Sequence, residues 1–377
     1  MLLVKKFLIV ITIIIFLVII WRLIIIRLNL QNISETEGFS LFSSAKDNEV
    51  TSLESKSKIN IKNTDVSGVL NLPLKELCVK ASYNSASSGN YVNTSMLQYV
   101  INRGVRYLDF EVFYISDNGK EDGHFKPVVS TSTDPTFMVL NSENTVLLDT
   151  VLISAVANAF SSPCPNYGDP LFINLRIKSN NTDVYKAVAS SIDNSIKGKI
   201  FVDHNPNASY ILDNVTTQKA KKVTKDTLLK DIKGSVVLSI DKTIFPNYTN
   251  YTKCDASGTN CYDLTNYTNI HTGSQDMNLI LYNMLSTVPT IQINDDNLHT
   301  TVQTITVTIP DNLYLMNPSN NNPDYADCVL KYSCQIVPYR FYHNDTALEK
   351  YEKFFNANGA AFVPLSVAIS HFMNKYQ

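Results

Sequence analysis

The sequence predicts an α/β domain behind an N-terminal transmembrane helix, and three observations support this class. An apolar run from Phe7 to Ile26, interrupted only by Arg22, is 20 residues long, enough to cross a bilayer as a helix. From Leu70 onwards, stretches with strand-like composition alternate with stretches of helical periodicity, as in parallel sheets with helices outside. Roughly eight strands can be counted, the number that closes a TIM-type (β/α)8 barrel. The prediction includes an irregular form of this barrel, and a doubly wound open sheet is the alternative.

The N-terminal segment predicts a single-pass membrane protein. Residues 1–6 form a short tail with Lys5 and Lys6, and residues 7–27 form the anchor. No small-residue cleavage pattern follows, so we interpret the segment as uncleaved, with a removed signal peptide as the alternative. We expect the tail inside and the large C-terminal part on the extracytoplasmic side. Residues 28–69 are polar and lack a sustained period, which predicts a linker, and residues 70–377 form the domain.

Composition excludes one class of partner. The formal net charge is −2, the hydrophobic fraction is 44%, and no basic run alternates with aromatic residues. The sequence therefore lacks the basic stretch expected of a nucleic-acid-binding protein. Nine Asn-X-Ser/Thr sequons are consistent with an extracytoplasmic glycoprotein.

All six cysteines follow the anchor, which suits an oxidising compartment. Cys254 and Cys261 are close enough in sequence for a local disulfide, as are Cys328 and Cys334. The spacings match no zinc pattern, and free buried thiols are the alternative.

The domain is predicted element by element. A helix that starts near Thr94 buries Met96, Leu97, Val100 and Ile101, and it ends at Gly104. Residues 241–277, rich in Asn, Tyr and Thr, predict an exposed insertion. The predicted strands are 74–81, 105–113, 126–130, 171–177, 234–240, 302–309, 334–342 and 360–363, and the other helices are 146–160, 183–196 and 346–356.

The strand 105–113 carries two acids where a buried strand should carry none. Side chains alternate along a strand, so Asp109 and Glu111 share one face with Tyr107, while Leu108 and Phe110 take the other. Two carboxylates on one face bind a cation, hold a base, or pair with nearby Lys or Arg, because unpartnered buried carboxylates are costly to keep ionised. In a barrel this face points inwards.

Several motifs, in this order, resemble the phosphatidylinositol-specific phospholipase C-like phosphodiesterases. The stretch 81–85 is similar to that family's first catalytic loop, 103–111 to its glycine-then-acidic strand, and 126–131 to its second catalytic loop. The strands 170–176, 334–338 and 358–363 continue in the family's order, so the resemblance covers most of 74–368. It implies a TIM-type catalytic barrel that hydrolyses phosphodiester lipids.

The resemblance also implies that catalytic groups are missing. The family uses a histidine in each catalytic loop, one as general base and one as general acid, and these positions look like Tyr83 and Thr131 here. A tyrosine is protonated at neutral pH, and a threonine hydroxyl is not an ordinary acid. Losing one such group typically costs about 10²–10⁴-fold in rate. None of the six histidines falls on these positions, although a shifted alignment would bring His124 near the second loop.

The metal and substrate positions change as well. Calcium-dependent family members bind the ion through oxygen ligands, and Asn84, Asp109 and Glu111 match three of those positions. The fourth, a glutamate in the family, looks like Arg176, whose cation would repel calcium and could pair with Asp109 or Glu111. No cofactor is therefore expected, with Ca²⁺ as the one candidate. The basic candidates for binding substrate are Arg106, Arg176 and Lys242.

Three functions remain open. The leading hypothesis is a membrane-anchored barrel without catalysis, a pseudoenzyme that serves as a structural or surface-binding protein. The alternative is a divergent phosphoric diester hydrolase with Asp109 or Glu111 as base and Tyr83 or Arg106 stabilising charge on the phosphate. The third is a glycan- or lipid-binding module using tyrosines of the insertion, which otherwise form a solvated loop: Tyr248, Tyr251, Tyr262 and Tyr267. The bias towards Asn, Lys, Ile and Tyr is typical of AT-rich genomes, and we suggest the virion membrane of a large DNA virus as one setting.

Overall fold

The computed structural model describes residues 45–53, 59–116, 123–139, 144–205, 207–212, 215–254, 261–290 and 302–376. The predicted tail and anchor, residues 1–27, lie outside this part of the chain. Among the residues described, no helix is long and apolar enough to cross a membrane.

The elements alternate along the chain as predicted for an α/β fold. The strands are β1 (Leu77–Val79), β2 (Ala81–Ser82), β3 (Tyr107–Ser116), β4 (Phe125–Ser130), β5 (Val146–Leu147), β6 (Leu171–Lys178), β7 (Ser209–Leu212), β8 (Val215–Gln218), β9 (Val236–Asp241), β10 (Ile270–Thr272), β11 (Met277–Leu281), β12 (Ile305–Ile309) and β13 (Phe362–Pro364). The helices are α1 (Ala45–Leu53), α2 (Ser67–Leu70), α3 (Thr94–Asn102), α4 (Leu148–Ala159), α5 (Val184–Ser195), α6 (Thr249–Thr252), α7 (Asn312–Met316), α8 (Tyr325–Tyr332), α9 (Thr346–Asn358) and α10 (Leu365–Tyr376).

The central sheet has nine strands, in the order β12-β11-β10-β9-β6-β3-β4-β5, with β2 also paired to β3. From β12 to β3 every pairing is parallel, as is the pairing of β2 with β3. Parallel strands with both faces covered are the arrangement expected from buried, Val- and Ile-rich strands separated by helices. The acidic strand β3 lies in the middle of this sheet, with β6 on one side.

The segment 335–339 links the two ends of the parallel sheet. Ile336 makes isolated parallel bridges to Val79 and to Val307 of β12, and Tyr339 bridges Ser82. This connection consists of single bridges rather than a continuous ladder, so the described strands do not form a regular closed barrel. The predicted fold is therefore confirmed in its coarser form, a mixed α/β fold of the TIM-barrel type.

The helix before the acidic strand forms for the reasons its sequence indicates. Met96, Leu97, Val100 and Ile101 are buried on one face of α3, as predicted. The cap is Asn93 rather than Thr94, since the Asn93 side chain accepts a hydrogen bond from Met96 N–H. Gly104 follows with φ +81°, a conformation that favours glycine, and turns the chain into β3.

Several predicted elements differ in the structure. The predicted strand 334–342 forms isolated bridges instead of a strand. The strand at 126–130 belongs to β4, which pairs antiparallel with β3 and is therefore not a parallel barrel strand. The predicted insertion 241–277 contains β10 and the first residue of β11, so it contributes to the central sheet instead of forming a separate exposed loop. The final predicted strand is β13, which pairs antiparallel with β1 outside that sheet.

Part of the segment predicted as a linker packs on the domain. The Glu49 carboxylate in α1 accepts hydrogen bonds from Ser88 Oγ at 2.5 Å and Asn90 Nδ2 at 2.6 Å. Thr64 N–H donates to Asp169 Oδ1 at 2.8 Å. Residues 45–53 and 59–69 are thus held by specific side-chain contacts.

The two local cysteine pairs differ in the structure, because one forms a disulfide and the other does not. Cys254 and Cys261 form a disulfide, as one of the two predicted alternatives had it. Cys328 and Cys334 are free and buried, as are Cys78 and Cys164.

Candidate functional site

The two acids of β3 lie side by side in the interior. Asp109 and Glu111 are 0% and 1% exposed, and they occupy one face of the strand, as alternation requires. In the parallel register with β6, Asp109 lies opposite Asn174, and Glu111 lies opposite Arg176. The neighbouring strand therefore supplies a cation at the level of the carboxylates.

Arg176 contacts every residue that the resemblance assigns to calcium. Its Nη2 donates to Asp109 Oδ2 at 2.7 Å and to Asn84 Oδ1 at 2.7 Å, its Nε donates to Asp109 Oδ1 at 3.0 Å, and its Nη1 donates to Glu111 Oε1 at 2.7 Å. Charge-assisted bonds from a planar guanidinium are among the strongest hydrogen bonds in proteins. The predicted ion pair is confirmed, and it involves both acids.

A second cation completes the cluster. Lys178 follows Arg176 by two positions, so its side chain points to the same face of β6. Its Nζ lies 2.6 Å from Glu111 Oε1, and it also donates to the Ser132 carbonyl at 3.3 Å. Ser132 N–H in turn donates to Glu111 Oε2 at 3.1 Å. We call Asp109, Glu111, Arg176 and Lys178 the mouth cluster.

The mouth cluster contains two acids and two cations, and this balance shifts the pKa values of Glu111 and Arg176. Burial alone would raise the pKa of Glu111, but the attraction of Arg176 and Lys178 outweighs burial and lowers it below the usual 4.5. Burial would likewise lower the pKa of Arg176, yet Asp109 and the neighbouring groups raise it well above its ordinary value. Both groups remain charged at neutral pH, and neither is poised to exchange a proton.

Tyr83 lies against the guanidinium. Its ring centroid is 4.6 Å from Arg176 Cζ, and its hydroxyl donates to Glu111 Oε1 at 3.4 Å. Burial raises the pKa of Tyr83 well above 10, with the attraction of Arg176 too small to offset it. The phenol therefore stays protonated and stabilises the cluster as a hydrogen-bond donor and a cation–π surface.

Thr131 and His124 are not brought into contact with the acids. Thr131 follows the end of β4, and its neighbour Ser132, rather than Thr131, bonds Glu111. His124 lies at the start of β4, where Phe125 pairs with Ser116, whereas Glu111 pairs with Ser130 at the strand's other end. The register therefore places His124 at the opposite end of β4 from the acids.

Beside the mouth cluster, polar side chains on the neighbouring strands form a chain of hydrogen bonds. Asn174 Nδ2 donates to Asp109 Oδ1 at 2.9 Å, Thr272 Oγ1 donates to Asn174 Oδ1 at 2.8 Å, and Ser239 and Thr272 hydroxyls lie 2.7 Å apart. Asp241 lies at the end of β9, and burial raises its pKa, with Arg176 opposing and Asp109 reinforcing the shift. Sequence reasoning missed these residues, although Asn174 and Ser239 are polar positions in otherwise apolar strands.

Two predicted substrate-binding residues lie elsewhere. Arg106 is fully buried, and its guanidinium bonds the Ala159 carbonyl and Asn166 in the loop after α4. It therefore supports the fold and cannot meet a phosphate from solvent. Lys242 lines a separate polar cavity of about 570 Å³ with Gly273, Ser274, Gln275, Asn278 and Thr304.

The residues present do not fit a calcium ion. Calcium needs six to eight oxygen ligands free of competing cations, and here Arg176 and Lys178 occupy the oxygens of Asn84, Asp109 and Glu111. Across the described ranges no group of three or more His, Cys, Asp or Glu side chains could hold a metal ion. The charge-paired arrangement predicted as the alternative to a metal site is the one observed.

The tyrosines of the predicted insertion are mostly structural. Tyr248 is buried, its ring is tilted by 34° against that of Tyr185 with centroids 5.4 Å apart, and its hydroxyl lies 2.7 Å from His271 Nε2. Tyr267 is buried and donates to Asp193 at 2.9 Å. Tyr251 is 51% exposed. The insertion does not present its tyrosines as one solvated loop.

The parallel strands bring these polar side chains together at one end of the sheet, as in α/β folds of the TIM-barrel type. Solved phospholipases C share it. The structure aligns with L. pealei PLC21 and S. officinalis PLC21, each at a TM-score of 0.50, with 13% and 15% identity, over 78% of this chain and 37% of those chains. A calcium-dependent phosphoinositol-specific phospholipase C from Pseudomonas sp aligns at a TM-score of 0.42 and 12% identity, over 82% of this chain and 100% of that one.

The chain thus has the phospholipase C-like fold that the sequence resemblance implied, and it matches little more than a third of the two PLC21 proteins. No protein-family model matches the sequence, and no curated protein does. At these identities the likeness concerns the fold, and the chemistry must be argued from the site.

Proposed function

We propose that this chain is a phospholipase C-like barrel protein that does not hydrolyse phosphodiesters and acts as a structural or surface-binding protein at a membrane. One observation carries the proposal: Arg176 donates hydrogen bonds to Asn84, Asp109 and Glu111 together. The proposed active-site acids are therefore satisfied internally, and a ligand would have to displace a buried ion pair to reach them.

The proton-transfer groups support the same proposal. Tyr83 has a raised pKa, and Thr131 cannot act as an ordinary acid, so neither replaces a catalytic histidine. The loss of two such groups would leave a rate lower by about 10⁴-fold or more.

The rim above the mouth cluster favours a surface-binding role. Five exposed large apolar residues lie in segments that follow strand ends bordering this rim. They are Met138, Tyr251, Met284, Leu313 and Met316, between 50% and 74% exposed. A contiguous exposed apolar patch marks a contact surface, and we propose that these five residues form one. We propose that this rim meets a lipid surface, with the predicted anchor at 7–27 holding the extracytoplasmic domain beside it, as on a virion membrane.

Calcium titration and a hydrolysis assay test the first half of the proposal. We expect the purified full chain to bind no calcium by calorimetry and to release no inositol phosphate from phosphatidylinositol vesicles. Arg176→Glu should gain calcium binding, because it replaces the competing cation with a carboxylate, and Arg176→Gln is the matched control. Turnover by the natural chain that disappears in Asp109→Asn would overturn the proposal.

A dye experiment tests the second half. An environment-sensitive dye on Leu313→Cys should shift to the blue when the full chain is reconstituted in vesicles. The same dye on Val66→Cys, which is 67% exposed but away from the rim strands, is the control. Equal shifts at both positions would contradict rim contact.

A divergent phosphoric diester hydrolase is the second candidate, and Asp241 is the observation that favours it. This buried carboxyl has a raised pKa and interacts electrostatically with Asp109 and Arg176, as a proton-transfer group in a site would. If hydrolysis is detected, Asp241→Asn should abolish it. Unchanged turnover in that variant would remove this candidate.

A further inference from the structure

Cys328 and Cys334 are brought together at the end of α8. Cys328 lies in the helix, and Ser333, with φ +48°, reverses the chain so that Cys334 N–H donates to the Cys328 carbonyl at 2.9 Å. Both residues are buried, at 2% and 0% exposure. The left-handed residue after the helix therefore sets the separation of the two side chains.

The two thiols are in contact. Their side chains are close enough for Cys328 to raise the pKa of Cys334, and neither cysteine is in a disulfide in this structure. A third thiol, Cys78 in β1, is close enough to interact electrostatically with Cys334, and its own side chain bonds Tyr325. Cys334 therefore has Cys328 as its nearest partner for a disulfide, and Cys78 as a competing partner.

We propose that Cys328 and Cys334 close into a disulfide when the chain folds in an oxidising compartment. The other local pair in the chain, Cys254 and Cys261, is already bonded across a separation of 7 residues. Disulfides persist in oxidising compartments, and in such a compartment a second pair at a similar separation would meet the same oxidant as Cys254 and Cys261.

The step is a thiol–disulfide exchange. One cysteine thiolate attacks a low-molecular-weight disulfide such as oxidised glutathione, which releases one thiolate and leaves a mixed disulfide. The second cysteine then attacks the protein sulfur and releases the other thiolate. Two protein thiols are oxidised, one disulfide is reduced to two thiols, and two protons are lost from the protein.

Exchange must occur during folding. The hydrogen bond to the Cys328 thiol and then burial raise the pKa of Cys334 well above 9, so the reactive thiolate is scarce in the folded protein. Burial also excludes the oxidant from both sulfurs. Once formed, the bond is shielded from reductants in the same way.

The bond would lie beside the segment 335–339, which joins the two ends of the sheet by isolated bridges. Gln335, the next residue, donates to the Thr306 carbonyl and accepts from Val79 N–H. It begins the segment 335–339, which links the sheet ends by single bridges. A Cys328–Cys334 disulfide fixes the start of that segment to α8.

Peptide mapping tests the pairing. The full chain is folded in a buffer of oxidised and reduced glutathione, denatured in acid, alkylated without reduction, digested and analysed by mass spectrometry. We expect a linked Cys328–Cys334 peptide and alkylated Cys78. Alkylated Cys328 and Cys334, or a Cys78–Cys334 link, overturns the proposal.

A thermal measurement tests the consequence independently. In Cys254→Ala/Cys261→Ala, this bond is the local disulfide left to reduce. Unfolding the variant with reductant and refolding it in the same buffer opens the buried bond, which should lower the Tm by about 4 °C. Adding Cys328→Ala to the same background should remove the response to reductant, whereas adding Cys78→Ala should keep it. No response in the first variant overturns the proposal.

Discussion

Two buried charge clusters lie at opposite ends of the strands, and they are balanced differently. The mouth cluster has two acids and two cations. At the N-terminal ends of the strands, Lys80, Arg103 and Glu352 form what we call the base cluster, in which two cations share one carboxylate. Arg103 Nε lies 2.5 Å and Lys80 Nζ 3.3 Å from Glu352 Oε1.

The difference shows how a buried cluster keeps or sheds its charge. In the mouth cluster, opposite charges offset burial, so the pKa of Glu111 falls and that of Arg176 rises. In the base cluster, burial lowers the pKa of Lys80 to about 8, Arg103 adds to this, and the single Glu352 only partly opposes it. A balanced cluster is locked at every physiological pH, whereas an unbalanced one can lose a proton.

The largest effect is expected from Arg176→Met. This change leaves two buried carboxylates with Lys178 as their remaining cation, and breaking a buried pair costs about 3–5 kcal/mol of unfolding free energy. Chemical denaturation measures the loss. Asp109→Asn and Glu111→Gln in the same chain should restore much of it, and a loss below about 1 kcal/mol for Arg176→Met alone would contradict the balance argument.

Raising the pH should stabilise the protein through Lys80. Its folded pKa of about 8 lies below the usual 10.5, so the unfolded chain binds more protons between these values, and stability rises with pH from about 8 to 10 by roughly 2–3 kcal/mol. Unfolding free energies at pH 7, 8, 9 and 10 measure this. Lys80→Met should flatten the rise, and an equal rise in that variant would assign it to another group.

Glu352→Gln should lower the free energy of unfolding by about 2 kcal/mol at pH 7, slightly less than the rise expected from Lys80. The loss is limited because Lys80 can release its proton once the carboxylate is gone. The cost should shrink at pH 9.5, where Lys80 is already largely neutral. Arg176→Met is the contrast, since its cost should be the same at both pH values. A cost for Glu352→Gln that does not change with pH would show that the base cluster is as locked as the mouth cluster.

Lys178→Met should have the smallest effect, about 1 kcal/mol, because Glu111 keeps Arg176 as a partner. The lowered pKa of Glu111 sets the sign of its pH dependence: the contribution is present above the usual 4.5 and is lost as the pH falls through the folded pKa. The difference between the natural chain and the variant should therefore shrink as the pH falls below 4.5. A difference that stays constant down to the acid unfolding of the protein would indicate lost packing.

The sequence predicted the acid pair of the mouth cluster and one of its cations, but it did not predict the direction of β4. Alternation along one strand was enough to place Asp109 and Glu111 together, and the family resemblance supplied Arg176 as their partner, as the structure confirms. The same alternation in β6 would have added Lys178. The direction of β4 could not be predicted, because a period of two is the same for parallel and antiparallel strands.

Short elements and long side chains were the main sources of error. β10 has three residues, too few to show a period, and it lies in polar sequence. Arg106 was taken for a substrate-binding residue, yet it precedes β3, and its side chain turns to the loop after α4. Reach and direction of a long side chain depend on the packing around it, which a sequence motif does not encode.

The bridges of segment 335–339 have a consequence for synthesis. Val79 and Ile336, which meet in the structure, are more than 250 positions apart in the sequence. A ribosome adding residues at about 5–20 per second makes the first strand wait roughly 10–50 s for its last neighbour. During that interval the edge of β1 and β2 is an open template for other nascent chains, so the protein is expected to depend on a chaperone until its final quarter has emerged.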